Sequence, residues 1–165
     1  MKTYTHDELV EKAKIFLKRQ HCVVITEMAG GSGEEADAIG WGSNGVSTLI
    51  ECKASRADFI ADKRKWFRRE PHRGMAGRRY YLTNKGIVKP ADIPEYWGLI
   101  EPSGRGVKVI LQPTHQPHSE QHGVQLLLSA IRRIGRNAPE SIAVKFYTYQ
   151  TGCIATMGVG YAESD

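Results

Sequence analysis

Two acids and a lysine close together in the sequence could carry metal-dependent chemistry. Asp37 precedes a glycine-rich turn at residues 42–45, and Glu51-Cys52-Lys53 follows that turn. Side chains on a strand alternate between faces, so Glu51 and Lys53 would project to the same side, about 7 Å apart. Whether Asp37 joins them depends on how the two flanking strands pair.

The length of the turn decides which face Asp37 occupies. A loop of two residues would place Asp37 opposite Cys52, on the other face of the hairpin. A loop of three residues, 43–45, with Gly45 left-handed in a G1 bulge, would place Asp37 opposite Glu51. We predict the three-residue loop, because it brings the two carboxylates together beside an ammonium group.

Such a pair of carboxylates favours a divalent metal ion. Neighbouring carboxylates repel each other unless a cation or a proton lies between them, and their oxygens suit Mg²⁺ or Mn²⁺ with several waters retained. An ion of this kind can polarise a phosphodiester, lower the pKa of a bound water and stabilise the leaving oxygen. A lysine beside it can orient the water or balance charge in the transition state. Hydrolysis of a nucleic-acid backbone is the matching reaction.

The elements around these residues are predicted in the order helix, three strands, helix, strand. Thr5 and Glu8 have the spacing of a capping box, and so do Ser55 and Asp58, which indicates two helix starts. Short β-branched or alternating runs predict strands at 22–26, 37–41, 46–53 and 79–83. Later segments predict a hairpin at 97–101 and 107–111, an amphipathic helix at 124–134 and a strand at 142–149. Phe59, Ile60, Trp66 and Phe67 would form the apolar side of the second helix.

The motif and its setting resemble the PD-(D/E)xK, or restriction-endonuclease-like, superfamily of nucleases. The resemblance covers about residues 5–83 and rests on Asp37, the hairpin and Glu51-Cys52-Lys53. It implies an α/β restriction-endonuclease-like core: a central mixed sheet of four or five strands flanked by helices. It also implies Asp37, Glu51 and the Cys52 backbone carbonyl as ligands of Mg²⁺ (or Mn²⁺), Lys53 as the catalytic lysine, and DNA as the expected substrate. Ala36 replaces the proline of the motif.

Further acids could assist this site. Many members of the superfamily use an acid from the first helix, for which the resemblance implies Glu8 and, after it, Glu11. Glu27 closes the first predicted strand and could reach Asp37 from a neighbouring strand end. Glu34 and Glu35 come just before Asp37 and are weaker candidates.

A cluster of basic residues favours a polyanionic partner. The chain carries a net charge of +5, and between Lys63 and Arg79 eight basic residues stand against one acid, Glu70. Phosphate contacts of this kind give affinity without sequence preference. The residues expected to contact nucleic acid are Lys63, Arg64, Arg68, Arg69 and Arg73. The alternative is that these residues form an ordinary solvated helix face.

Length and composition indicate one ordinary folded domain. The 165 residues predict a core at about 5–111 and a small C-terminal extension at about 112–165. No apolar run approaches the roughly 20 residues of a membrane span, and the polar N-terminus lacks a secretory pattern, so we expect a cytoplasmic protein without membrane contact. Three cysteines without C-x-x-C spacing indicate free thiols. The helix at 124–134 would either pack on the core or form the contact of a homodimer.

Two other functions remain open at this point. One is a non-catalytic nucleic-acid-binding module that retains the nuclease fold. The other is a transition-metal site made by His115, His118 and His122, although no carboxylate or cysteine accompanies them in that loop. A role in DNA repair, recombination, restriction or phage-related metabolism follows from the resemblance alone.

Overall fold

Six strands and three helices make up the part of the chain that the computed structural model describes, which is residues 2–29, 33–65, 68 and 70–137. The helices are α1 (His6–Lys18), α2 (Arg56–Asp62) and α3 (Glu120–Asn137). The strands are β1 (Val23–Ala29), β2 (Glu35–Trp41), β3 (Ser47–Lys53), β4 (Arg78–Thr83), β5 (Trp97–Ser103) and β6 (Gly106–Leu111). Short 3-10 turns occupy Pro71–Arg73 and Pro90–Asp92.

All six strands form one mixed sheet in chain order from β1 to β6. The pairs β1–β2, β2–β3 and β5–β6 are antiparallel, whereas β3–β4 and β4–β5 are parallel. The expected α/β class and mixed sheet are confirmed, but the expected count of four or five strands is wrong. The sheet is larger because β5 pairs in parallel with β4, which adds the whole β5–β6 hairpin to the same sheet.

The first helix begins as its capping box predicts. Oγ1 of Thr5 accepts a hydrogen bond from the Glu8 N–H at 3.3 Å, and the Glu8 carboxylate accepts one from the Thr5 N–H at 2.9 Å. The buried residues of α1, among them Leu9 and Leu17, pack in one cluster with Ile50 of the sheet. Burial of this apolar stripe holds α1 against one face of the sheet.

The β2–β3 hairpin has the predicted three-residue loop. Ala38 pairs with Ile50, so continuing the same register places Asp37 opposite Glu51. Gly45 has a φ of +78°, the left-handed conformation that glycine adopts without the steric cost of a Cβ. The local chemistry of this turn therefore sets the face on which Asp37 lies.

The second helix is shorter than its apolar pattern predicts. It begins after Ser55, whose side chain accepts a hydrogen bond from the Asp58 N–H, and it ends at Asp62. The next backbone hydrogen bonds join residues three apart and form turns. The Arg64 N–H donates to the Ala61 carbonyl, and the Lys65 N–H donates to the Asp62 carbonyl. The expected helical residues Trp66 and Phe67 lie outside the described residues.

The C-terminal helix is confirmed and is longer than expected. α3 covers Glu120–Asn137, whereas the sequence pattern predicted 124–134. Leu126 is fully buried in the cluster on the sheet face opposite α1, while Val124 and Leu128 on the same helix are about half exposed. The strand expected at 142–149 lies outside the described residues. No helix in the described ranges has the length and apolar character needed to cross a bilayer.

Candidate active site

Asp37, Glu51 and Lys53 meet on one face of the sheet. The ammonium of Lys53 donates a hydrogen bond to Oε2 of Glu51 at 2.9 Å and lies 3.9 Å from Oδ2 of Asp37. The exposed fractions of the three side chains are 18% for Asp37, 1% for Glu51 and 10% for Lys53. The pocket is therefore closed around Glu51 and open to solvent on the side of Asp37.

Asp37 is held by the backbone of the neighbouring strand. Its Oδ2 accepts a hydrogen bond from the Cys52 N–H at 2.7 Å, and its Oδ1 lies 3.6 Å from Nε2 of His6. Burial, followed by the nearby charge of Glu51, raises the pKa of Asp37 above its ordinary value, and Lys53 offsets part of that rise. A cation placed between the two carboxylates would relieve this repulsion. Cys52, whose carbonyl was predicted as a further ligand, follows Glu51 directly, and its N–H contacts Asp37.

Asp62 is a further acid of the site, which the sequence analysis did not identify. It is 2% exposed, and its Oδ1 lies 3.3 Å from Nζ of Lys53. The Tyr81 hydroxyl donates a hydrogen bond to Asp62 Oδ2 at 2.8 Å. Burial alone would raise the pKa of Asp62, but the charge and hydrogen bonds of Arg68 outweigh it and hold the pKa well below its usual range. One signal was present in the sequence: Asp62 falls three positions after Phe59, on the apolar side of α2.

The position of Arg68 differs from the one expected. The sequence predicted Arg68 on the exposed basic surface, but its side chain is 4% exposed and its guanidinium contacts three acids. The distances are 3.1 Å to Glu34 Oε1, 2.9 Å to Glu51 Oε1 and 2.7 Å to Asp62 Oδ2. The guanidinium also lies 4.6 Å from the centre of the Trp97 ring. Three buried carboxylates attract this cation inward, so in this arrangement it is not presented to a phosphate.

Glu34 is the fourth carboxylate of this network. It is fully buried, and its Oε2 accepts a hydrogen bond from the Met75 N–H at 2.8 Å. With Glu34, the described residues of the network are four carboxylates and three cations within 4 Å of them, the third cation being Lys65 at 3.0 Å from Asp62. Opposite charges therefore nearly balance inside this pocket.

One carboxylate oxygen in the pocket lacks a hydrogen bond. Oε1 of Glu51 is fully buried and, within the described part of the chain, accepts none. Nη2 of Arg68 lies 2.9 Å away, yet its approach does not have the angle of a hydrogen bond. A buried acceptor without a hydrogen bond calls for an explanation, and an ion bound there is one.

The residues present fit a hard divalent cation that keeps part of its water shell. Within the described ranges there is no group of three or more histidine, cysteine, aspartate or glutamate side chains that could hold a metal ion. Mg²⁺ commonly binds through one or two carboxylates and several waters, so the pair Asp37 and Glu51 is a sufficient donor set. Two observations favour this fit: Oε1 of Glu51 accepts no hydrogen bond from the described residues, and the pKa of Asp37 is raised.

The two predicted accessory acids occupy different surroundings. The Glu8 carboxylate caps its own helix and lies 3.0 Å from Lys2, and the Thr5 backbone hydrogen bond, followed by Lys2, lowers its pKa. The structure therefore places Glu8 in the helix cap and not at the carboxylate pair. Glu27 is exposed and falls at the gap in the β1–β2 pairing across from Asp37, with a φ of +50°. A left-handed backbone at a residue other than glycine is uncommon and often occurs at functional sites.

The remaining predicted basic residues are exposed where the structure describes them. Lys63 donates a hydrogen bond to the Asp92 carbonyl at 2.6 Å, and Arg73 pairs with Glu70 at 3.1 Å. Arg64 is exposed. Arg69 lies outside the described residues.

The three histidines His115, His118 and His122, the last of which lies in α3, do not converge. The rings of His115 and His118 lie 5.5 Å apart and, together with Trp41 and Leu127, line a cavity of about 420 Å³. His122 instead makes a 2.7 Å hydrogen bond with the Arg73 carbonyl. The proposed three-histidine metal site is therefore absent from this part of the chain.

Comparison with known proteins adds information on the fold. No family model matches the chain, and no curated protein matches it. A solved structure, the SPO1766 protein of unknown function from Silicibacter pomeroyi, superposes with a TM-score of 0.59 and 22% sequence identity. The match covers 87% of this chain and 99% of that chain. At this level of identity the similarity shows a shared fold alone.

Proposed function

We propose that this protein is a metal-dependent nuclease that hydrolyses phosphodiester bonds of nucleic acid, with DNA as the expected substrate. The observation that carries the proposal is the position of the Lys53 ammonium within 4 Å of both Asp37 and Glu51. The order of α1, β1 to β3, α2 and β4 supports it, because that order is the one implied by the resemblance to PD-(D/E)xK nucleases.

Asp37, Glu51 and the Cys52 carbonyl would hold the Mg²⁺ or Mn²⁺ ion. When bound, the ion supplies polarisation of the phosphate and a more acidic bound water. Asp37 is the more exposed of the two acids, so its side of the pocket is where a phosphodiester has access. Glu51 anchors the closed side.

Lys53 would act as a charged hydrogen-bond donor. Burial alone would lower its pKa, but the charges of Glu51 and Asp62 outweigh burial and raise the pKa above its usual value. The side chain therefore stays protonated at neutral pH and is unsuited to accept a proton. Its role is to orient the attacking water or to offset the negative charge that develops on the phosphate.

Exposed cations supply a sequence-independent attraction for the substrate. Lys63, Arg64 and Arg73 are exposed on the segment that follows α2, and Arg68 of the same segment reaches the site. Contacts of this type bind phosphates without reading bases, so affinity falls as salt rises. The same chemistry serves DNA and RNA.

Cleavage assays with charge-neutral variants test the proposal. Supercoiled plasmid, single-stranded DNA and RNA are incubated with Mg²⁺ or Mn²⁺ and with wild type, Glu51→Gln or Lys53→Met. We expect wild type to cut at least one substrate and each variant to be slower by roughly 100-fold or more, as is typical when a transition-state contact is removed. The matched controls are Glu95→Gln and Lys108→Met, which remove the same charges from exposed positions and should keep full activity.

The alternative is a non-catalytic nucleic-acid-binding module, and one observation favours it. Each oxygen of Glu51 already has a cation at 2.9 Å, so the pocket is nearly balanced in charge without a metal ion. If this alternative is correct, wild type binds nucleic acid with a strong salt dependence. It gives no cleavage product beyond those that Glu51→Gln and Lys53→Met also give. That result would reject the nuclease hypothesis in favour of the binding module.

A further inference from the structure

Within the described residues Arg68 contacts three acids, and the contacts differ in kind. Its Nε and Nη2 donate hydrogen bonds to the two oxygens of Asp62 at 2.7 Å and 3.4 Å, and its Nη1 donates one to Glu34 at 3.1 Å. Its Nη2 lies 2.9 Å from Oε1 of Glu51, but that oxygen accepts no hydrogen bond. Asp62 and Glu34 therefore fix the guanidinium, whereas Glu51 attracts it by charge.

The contact with Glu51 occupies the place that a metal ion would need. Mg²⁺ binds carboxylate oxygens at about 2.1 Å and repels a second cation beside the same oxygen. The side chains of Arg68 and Glu51 are 4% and 1% exposed, so water screens this repulsion poorly. An ion on Oε1 and the present position of Nη2 are incompatible.

We propose that Arg68 is an internal competitor of the divalent cation for Glu51. In the metal-free protein it neutralises Glu51; when an ion binds, the Glu51 carboxylate turns toward the ion and Oε1 separates from Nη2, while the rigid guanidinium keeps its hydrogen bonds to Asp62 and Glu34. The inference rests on the proposed metal site. It explains why a carboxylate that serves as a metal ligand can be buried stably without its ion, because an unpaired buried charge would be costly.

Metal affinity measured without nucleic acid tests this inference. Mn²⁺ binding to the full chain is followed by titration calorimetry for wild type, Arg68→Met and Arg68→Lys. We expect Arg68→Met to bind Mn²⁺ about tenfold more tightly than wild type, and Arg68→Lys to stay within about threefold of wild type because it keeps the competing charge. Arg56→Met is the matched control, since it removes the same charge from an exposed position on α2 and should leave the affinity unchanged.

The opposite result has a clear meaning. If Arg68 merely supports Glu51, a folded Arg68→Met variant binds Mn²⁺ equally or more weakly, and the inference is overturned. Circular dichroism establishes whether each variant is folded. A structure of the wild-type protein with Mn²⁺ provides a second test that needs no variant: we expect Nη2 more than about 4 Å from Glu51 Oε1, and an ion on Glu51 with Nη2 still as close to Oε1 as the present 2.9 Å would also overturn the inference.

These outcomes separate the inference from the proposed function. Cleavage that depends on Glu51, together with an unchanged Mn²⁺ affinity in Arg68→Met, overturns the competitor role alone. Absence of Mn²⁺ binding at Asp37 and Glu51 in wild type and in Arg68→Met overturns both.

Discussion

Nζ of Lys53 lies 3.3 Å from Oδ1 of Asp62, which joins the end of β3 to the end of α2. Asp62 also accepts hydrogen bonds from the Arg68 guanidinium and the Tyr81 hydroxyl. One buried carboxylate thus fixes both cations that face Glu51. Under the proposed function Asp62 is a positioning residue for Lys53, and it would keep the ammonium in place when Glu51 binds a metal ion.

Asp62→Asn should strongly destabilise the protein. The substitution leaves Lys53 and Arg68 buried with one fewer counter-charge, and removing one partner of a buried ion pair typically costs about 3–5 kcal/mol. The free energy of unfolding from urea denaturation provides the measurement. Glu95→Gln, at an exposed position, is the control and should not shift the midpoint. A loss below about 1 kcal/mol for Asp62→Asn would contradict the role assigned to this carboxylate.

The stability of the protein should fall as the pH drops below about 6.5 because of His21. Its Nδ1 donates to the Leu17 carbonyl at 3.1 Å, and its Nε2 lies 3.0 Å from the Thr48 hydroxyl, from which the neutral ring accepts a hydrogen bond. Burial lowers the pKa of His21 below its usual 6.5. Since the unfolded chain takes up the proton at higher pH, this stabilisation is complete above about pH 6.5 and is lost as the pH falls toward the lowered pKa.

Urea denaturation of wild type and His21→Gln at pH 7 and pH 5.5 measures this effect. We expect the free energy of unfolding to drop more in wild type than in the variant. The difference between the two proteins isolates His21 from the carboxylates. Equal pH dependence in both would show that His21 makes no such contribution.

Gly98→Ala should destabilise the sheet. A Cβ at this position would lie 2.5 Å from the Tyr80 ring and 2.7 Å from the Leu111 carbonyl oxygen, which belong to the strands on either side. Overpacking of this kind costs about 1–3 kcal/mol. Gly106→Ala is the matched control, since its Cβ would meet only Arg19 at 3.6 Å. Thermal unfolding of the two variants should therefore separate them clearly, and a similar melting temperature for both would refute the steric explanation.

Two variants of Glu27 separate the effect of its backbone strain on stability from the effect of its carboxylate on activity. Its φ of +50° favours glycine, so Glu27→Gly should raise the free energy of unfolding by up to about 1 kcal/mol. Glu27→Gln keeps the strain and removes the charge, so its stability should match wild type. If Glu27 assists the metal, both variants lose nuclease activity; activity equal to wild type in Glu27→Gln would remove this acid from the mechanism.

Local chemistry explains which features could be predicted from the sequence. The start of α1 depends on Thr5 and Glu8, and the face of Asp37 depends on the turn that contains Gly45. Each of these features depends on a few neighbouring residues, so a local sequence pattern is enough to predict it. The two acids and the lysine could be brought together for this reason.

The missed features depend on contacts between distant segments. Arg68 looks like one more surface cation in a basic stretch, and only the arrival of Glu34 and Glu51 from other elements draws it inside. The sixth strand likewise required β5 to pair with β4, which no local motif specifies. Sequence patterns predict single elements well, but they do not show which buried charged residues will form ion pairs in the folded protein.

The acids of the pocket come from separate parts of the chain: Asp37 from β2, Glu51 from β3 and Asp62 from α2. Tyr81 from β4 and Trp97 from β5 close the same network through Asp62 and Arg68. These groups meet only when β2 to β5 and α2 are packed together, so the pocket depends on the folded sheet. If the proposed nuclease activity is correct, it should be lost at or before the denaturation midpoint of the sheet.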